Sequence, residues 1–130
     1  MNSYIEEFYM TTIKEVSKLT GQSTYALRFY ERQGLLKVPR TESGIRNFDQ
    51  ASIDAAQAIA HYRNVGMSLD DIRIIFKNYH DHDLSVRLLK ETKDRLDIEI
   101  AGLQKTREYL VKKIALHRRI ADKERNDRNE

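Results

Sequence analysis

A long heptad repeat in the second half of the chain constrains the fold more than any other feature. Between Leu84 and Gly102 there is no glycine or proline, and helix-favouring composition continues to about Arg119. Leucine recurs every seven residues along this stretch, at Leu89, Leu96, Leu103 and Leu110. Because this period is typical of a coiled-coil seam, we expect a long helix that pairs with another helix.

The positions three residues earlier in each heptad complete the predicted seam. Val86, Ile100 and Ile114 fill three of them, and Lys93 and Arg107 fill two others. Charged seam positions restrict register and partner at some cost in stability. A homodimer would bury this stripe, and a helix folded back on its own domain is the alternative. The predicted dimer contacts are Leu89, Leu96, Ile100, Leu103, Leu110 and Ile114.

Two short helices are predicted near the start of the chain. Thr12 and Glu15 have the spacing of a capping box, which opens a helix running to about Leu19. A turn containing Gly21 leads to Ser23, a good N-cap for a second helix that ends near Gly34. Two short helices joined by a glycine-containing turn predict a helix-turn-helix, whose second helix reads DNA.

The second helix has two unlike faces. At about 100° per residue, Ala26, Leu27 and Tyr30 face a core. The opposite arc holds two guanidiniums, a hydroxyl and a phenol, from Thr24, Tyr25, Arg28 and Arg32. Such a face suits an anion with hydrogen-bonding edges, such as the DNA major groove. The alternative is an ordinary solvated face.

Residues 37–48 predict a two-stranded wing beside this helix. Ser43-Gly44 marks a hairpin turn, and the two extended arms carry Arg40 and Arg46. We expect these arginines to lie over the flanking phosphates, although an ordinary surface hairpin is the alternative. Two further helices follow, opened by Asp49 and Ser68 and each carrying apolar residues at helical spacing.

Composition excludes several classes of function. The net charge is only +3, so any basic surface must come from local clustering. The absence of cysteine excludes disulfides, thiolate metal sites and thiol redox switching. No catalytic motif is recognisable, so we expect neither an enzyme nor a cofactor. No apolar run approaches the length of a membrane span and no signal peptide is recognisable, so we expect a cytoplasmic protein.

In this order, the segments resemble the MerR family of transcriptional regulators. The matching segments are Thr12–Val16, Leu27–Leu36, Gly44–Phe48 and Arg63–Ile72. The resemblance implies a mainly α fold, in which a winged helix-turn-helix domain is followed by a long antiparallel coiled-coil dimerisation helix. The boundaries are an N-terminal extension at 1–10, the DNA-binding domain at 11–79, the coiled coil at 80–120 and a flexible tail at 121–130.

The resemblance also implies a function and partners. A homodimer would bind a pseudo-palindromic operator in double-stranded DNA and distort an overlong promoter spacer so that RNA polymerase can engage it. An accessory protein that bends DNA without a transcriptional role is the alternative. Together with Thr24 from the helical arc, the implied DNA contacts are Tyr25, Arg28, Tyr30, Arg40, Arg46 and Arg63. Ile45 and Phe48 stand where the family usually has wing tyrosines.

The sequence does not identify a small-molecule or metal effector. The wing and residues 63–66 resemble the aldehyde- and electrophile-responsive branch of the family. That branch often carries a sensing cysteine at the position that His61 occupies here, but a surface or packing histidine is the simpler interpretation. His80, His82 and their aspartates precede the long helix, and His117 lies near its far end. They could form a metal site with a second chain, but Asp81 or Asp83 as a helix cap is simpler. We therefore predict no metal site.

Overall fold

The computed structural model describes residues 10–129, and helices dominate that part of the chain. The helices are α1 Ile13–Thr20, α2 Thr24–Arg32, α3 Gln50–Asn64, α4 Leu69–Lys77 and α5 His82–Asn129. The predicted mainly α fold class is therefore confirmed. Apart from Met10, the predicted N-terminal extension lies outside the described residues. The chain divides into two units after Leu88, and each is described by itself.

Side-chain caps fix where each helix begins. Thr12 and Ser23 accept hydrogen bonds from the backbone N–H of Glu15 at 3.1 Å and of Ala26 at 3.0 Å, as the sequence predicted. A cap of this kind contributes about 1 kcal/mol to helix stability. The same geometry recurs at the first turns of the remaining helices, with Asp49, Ser68 and Asp81 as the acceptors.

Helices α1 to α4 each contribute at least one apolar side chain to the core of the first unit. Val16, Leu27, Ile59 and Ile72 each expose no more than 1% of their surface. Burial of a side chain of this size contributes about 1.5–3 kcal/mol. This core fixes the rotation of α2 about its axis, because Leu27 can be buried only if the opposite arc faces outward.

The wing is shorter than the sequence predicted. Within residues 10–129, the two arms meet in an isolated antiparallel bridge between Arg40 and Arg46 and do not form two strands. The bridge closes a five-residue loop, residues 41–45, in which Gly44 has a φ of 84°, a conformation that favours glycine. The expectation of a two-stranded wing is thus corrected. The pairing cannot extend regularly past Pro39, which has no N–H to donate.

The last helix is longer than predicted at its C-terminal end. Helical structure continues to Asn129, whereas the sequence placed its end near residue 120. The charged composition of this segment predicts fraying, but Lys, Glu and Arg are good helix formers. Asp122 and Arg125 also pair one turn apart. Flexibility of residues 121–130 stays a prediction. Within residues 10–129, no helix is both long and apolar enough to cross a membrane.

Candidate nucleic-acid interface

The outward face of α2 presents cations and hydrogen-bonding groups to solvent. Tyr25 is 73% exposed, and Arg28 and Arg32 are exposed beside it. Nη1 of Arg28 donates to Oγ1 of Thr24 at 3.4 Å, and the guanidinium carbon of Arg32 lies 6.0 Å from the centre of the Tyr25 ring. These contacts hold two long side chains over one face of the helix, in the arrangement that the helical arc predicted.

Tyr30 lies on the inward face of α2. Its ring is 7% exposed, and its hydroxyl donates to Oε1 of Gln22 at 3.2 Å. A phosphate oxygen can only accept a hydrogen bond, so contact with DNA would require the Tyr30 hydroxyl to release Gln22. The helical arc therefore predicted the position of the ring correctly. The DNA contact implied by the family resemblance stays a prediction.

The two wing arginines converge on one carboxylate. Oε1 of Glu31, in the last turn of α2, accepts from Nη2 of Arg40 at 3.0 Å and from Nη2 of Arg46 at 2.9 Å. Nε of Arg46 also donates to this oxygen at 3.0 Å. The wing therefore lies against the C-terminal end of α2, and its arginines are paired within the protein.

Arg63 lies near the end of α3, away from the wing in sequence. Its Nη1 donates to the backbone carbonyl of Met67 at 3.0 Å, while the residue as a whole is exposed. A guanidinium has five N–H donors, so this bond leaves others for a phosphate. Arg63 thus contacts the protein backbone and keeps other N–H donors with which it could bind an anion.

Two residues of this surface were not identified from the sequence. Glu31 was missed as the partner of the wing arginines. Arg73 of α4 was missed as a donor to the backbone carbonyl of Gln33 at 3.1 Å, which ties α4 to the end of α2. In the sequence Glu42 lies closer to the wing arginines than Glu31 does, so no local pattern indicated Glu31 as their partner. The Arg73 contact spans 40 positions in sequence, and no local pattern indicates it.

The histidines and carboxylates outside this surface do not converge. Among residues 10–129, no group of three His, Asp or Glu side chains lies close enough to hold a metal ion. Oδ1 of Asp81 accepts from the backbone N–H of Leu84 at 3.0 Å, so Asp81 caps α5, as one of the two candidate caps in the sequence. His61 is exposed on α3.

The predicted seam of α5 is an apolar stripe with two levels of exposure. Leu89 and Leu96 are half-buried, whereas the later seam residues Ile100, Leu103, Leu110 and Ile114 are exposed. Ile98, which is 74% exposed, lies on the other side of the helix. A row of exposed apolar side chains along one helix face is a candidate interaction surface.

This chain is similar in sequence to known proteins that are named as transcriptional regulators. A protein of Haemophilus influenzae named "Probable heavy metal-dependent transcriptional regulator" is 44% identical over 61 residues, which cover 46% of this chain and 48% of that protein. The chain thus spans about half the length of this relative. The regulator CueR of Salmonella typhi is 30% identical over 105 residues, which cover 76% of this chain and 75% of CueR.

The fold is also similar to that of solved structures. The crystal structure of HiNmlR, a MerR family regulator lacking the sensor domain and bound to promoter DNA, matches with a TM-score of 0.64 and 28% identity. The match covers 74% of this chain and 76% of HiNmlR. The family described as MerR HTH family regulatory protein matches residues 11–79, which contain α1 to α4 and the wing. The chain therefore belongs to the MerR family of helix-turn-helix regulators.

Proposed function

We propose that this protein is a sequence-specific DNA-binding regulator of transcription, with α2 in the major groove. The outward face of α2 carries the argument, because Tyr25, Arg28 and Arg32 are exposed together while Leu27 and Tyr30 are buried behind them. Guanidiniums are suited to the paired acceptors on guanine, and a phenol can donate to phosphate. The similarity to HiNmlR, whose structure contains promoter DNA, supports DNA binding.

The proposal includes a homodimer that binds a pseudo-palindromic operator. The exposed seam of α5 supports it, because a second copy of the same stripe would remove these apolar side chains from water. In the proposed dimer the two helices run antiparallel. Each recognition helix would read one half-site, so that operator symmetry mirrors protein symmetry.

The proposed mechanism is distortion of the promoter. The dimer would bend and untwist an overlong spacer between the two promoter elements, so that RNA polymerase engages both. Bending of DNA costs energy that depends on its sequence, and the additional contacts made to the bent duplex offset it. This activity would take place in the cytoplasm. The proposal includes no enzymatic step and no metal effector.

Binding can be tested with the intact protein and a fragment of the DNA upstream of its own gene. Fluorescence anisotropy would compare this fragment with random DNA of equal length, at several salt concentrations. We expect tighter binding to the upstream fragment and a dyad-symmetric hydroxyl-radical footprint. Equal affinity for both DNAs would overturn sequence-specific recognition.

Transcription in vitro would test the proposed mechanism. We expect the protein to change transcription from a promoter with the native spacer, and to lose this effect when the spacer is shortened to the length that polymerase engages unaided. An effect that is independent of spacer length would contradict spacer distortion. Binding and bending without any effect on transcription would favour the accessory role.

A further inference from the structure

A single carboxylate oxygen joins the recognition helix to both arms of the wing. Oε1 of Glu31 accepts three N–H donors from Arg40 and Arg46, at 2.9 to 3.0 Å. These two arginines are also the residues that form the backbone bridge of the wing. Glu31 therefore holds the wing at the point where its two arms meet. We call this group of three side chains the wing clamp.

The wing clamp is partly shielded from water, which strengthens it relative to a solvated ion pair. The side chain of Glu31 is only 19% exposed, and that of Arg46 is similarly covered. An exposed pair contributes little because water screens it and side-chain entropy opposes it. Here, one carboxylate instead fixes two guanidiniums, and Nη1 of Arg40 also lies 3.4 Å from the carbonyl of Gly44.

The wing clamp leaves the arginines able to contact DNA. Each guanidinium has five N–H donors, and neither arginine uses more than two of them on Glu31. Two arginines and one glutamate carry a net charge of +1, so the group remains attractive to phosphate. The carboxylate itself cannot bind phosphate, and it lowers the positive potential of the wing. Its presence at a DNA-binding surface therefore has an electrostatic cost for binding.

We propose that Glu31 is a positioning residue for DNA recognition, which fixes the wing relative to α2 so that phosphate and base contacts are made in one register. The inference rests on the proposed DNA-binding function and deepens it. Phosphate contacts set the orientation of a protein on the duplex, and base contacts then read the sequence. A wing ordered before binding avoids the entropy cost of ordering it on DNA.

This inference and simple electrostatics predict different effects of Glu31→Gln. If Glu31 only repels DNA, its neutralisation strengthens binding to operator and random DNA by the same factor. If Glu31 positions the wing, random DNA is still bound more tightly, but the operator loses the benefit of a fixed register. We expect the ratio of operator to random affinity to fall about threefold to tenfold, the range of a charge-assisted hydrogen bond near the surface.

The chain offers a matched control in Glu42, an exposed carboxylate in the loop of the wing. Glu42→Gln likewise removes one negative charge, here from the wing itself, and leaves the wing clamp intact. Anisotropy titrations on both DNAs would compare wild type, Glu31→Gln and Glu42→Gln. We expect Glu42→Gln to strengthen both interactions equally and to leave the ratio unchanged.

Hydrogen exchange in the absence of DNA gives a second measurement. The backbone N–H groups of Thr41, Gly44 and Asn47 are bonded within the wing, at 2.8 to 2.9 Å. We expect Glu31→Gln to accelerate their exchange severalfold and Glu42→Gln to leave it unchanged. The double variant Arg40→Gln/Arg46→Gln should also accelerate the exchange of these wing amides, without any change to α2. Adding Glu31→Gln to it should not accelerate their exchange further.

The outcomes separate this inference from the proposed function. If wild-type protein binds operator and random DNA equally, the proposed function fails and the inference fails with it. If wild type discriminates normally but Glu31→Gln keeps both the affinity ratio and the wing exchange rates, only the inference is overturned. If Glu31→Gln does not fold, exchange in the double arginine variant decides, because unchanged wing protection there also overturns the inference.

Discussion

At the residue scale, the cationic side chains that we propose contact DNA also make contacts within the protein. Arg28 bonds to Thr24, Arg32 lies over the ring of Tyr25, and Arg63 bonds to the carbonyl of Met67. Each of these side chains would otherwise lose considerable rotamer freedom on binding, at a cost of about 0.5–1.5 kcal/mol. Such contacts reduce that cost.

Arg28 is the residue for which we predict base readout. Arg28→Ala should weaken binding to the operator by about 1–3 kcal/mol and relax base preference at one position in each half-site. Affinity for random DNA should change much less. Anisotropy titrations on operator variants would measure both effects, with Arg87→Ala, an exposed cation on α5, as the control for charge. Equal losses on operator and random DNA would refute base readout by Arg28.

Arg63 should instead contribute to affinity without regard to sequence. We expect Arg63→Ala to weaken binding to all DNAs by the same factor and to lower the slope of log affinity against log salt by about one. Arg63→Lys retains the charge and should keep most of that slope. Because Arg63 also bonds to Met67, thermal unfolding must accompany the titrations. A loss confined to the operator would contradict a phosphate contact.

At the scale of elements, the helix caps explain why three short helices form in a small unit. Helices of eight or nine residues, such as α1, α2 and α4, are marginal in isolation. Capping by Thr12, Ser23 or Ser68 satisfies a backbone N–H that the helix itself cannot pair. Packing of the apolar face then supplies most of the remaining stability.

The cap of α3 should also respond to pH. Hydrogen bonds from Ser52 hold the pKa of Asp49 below its ordinary value of 3.8. Because the folded pKa is lowered, this stabilisation is present above 3.8 and is lost as the pH falls through the folded value. At neutral pH, Asp49→Ala should lower the free energy of unfolding by about 1 kcal/mol.

Urea unfolding at fixed protein concentration would measure this effect. Asp49→Asn keeps an acceptor at the cap without a titrating group, so its stability relative to wild type should rise as the pH falls below 3.8. Asp54→Ala is a suitable control, because Asp54 lies on the same helix and pairs with the side chain of Gln50 instead of a backbone N–H. A constant difference between Asp49→Asn and wild type at all pH values would contradict this role.

At the scale of the whole molecule, the exposed seam of α5 is the feature that a single chain does not explain. Leu103 is 69% exposed, and its neighbours along the seam are exposed with it. Each buried leucine contributes about 1.5–3 kcal/mol, so pairing of two such helices can stabilise a dimer. Binding by one half-site alone would lose the avidity that a dimer provides.

The double variant Leu96→Asp/Leu103→Asp should therefore be monomeric in analytical ultracentrifugation. Operator affinity should fall together with dimerisation, whereas hydrogen exchange should report intact helices in the first unit. Ile98→Asp/Tyr109→Asp places the same charges on exposed apolar positions outside the predicted seam and should remain dimeric. A dimeric Leu96→Asp/Leu103→Asp variant would mean that the seam lies elsewhere on α5.

The sequence by itself determined the features that depend on neighbouring residues. N-caps lie three residues from the amides they accept, and the two arcs of α2 follow from its helical period alone. The outward position of Arg28 and the inward position of Tyr30 could therefore be predicted, and both are confirmed. The heptad likewise predicted a long helix, although charge alone was a poor guide to where that helix ends.

Only the tertiary structure decided what the charged side chains contact across the chain. Arg40 and Arg46 reach Glu31 over 9 and 15 positions, and Arg73 reaches the carbonyl of Gln33 over 40. No sequence period encodes such contacts, because they depend on how the packed core places α2, the wing and α4 against one another. An arginine predicted to meet phosphate could equally meet a carboxylate, and the fold brings the carboxylate of Glu31 within 3 Å of both wing arginines.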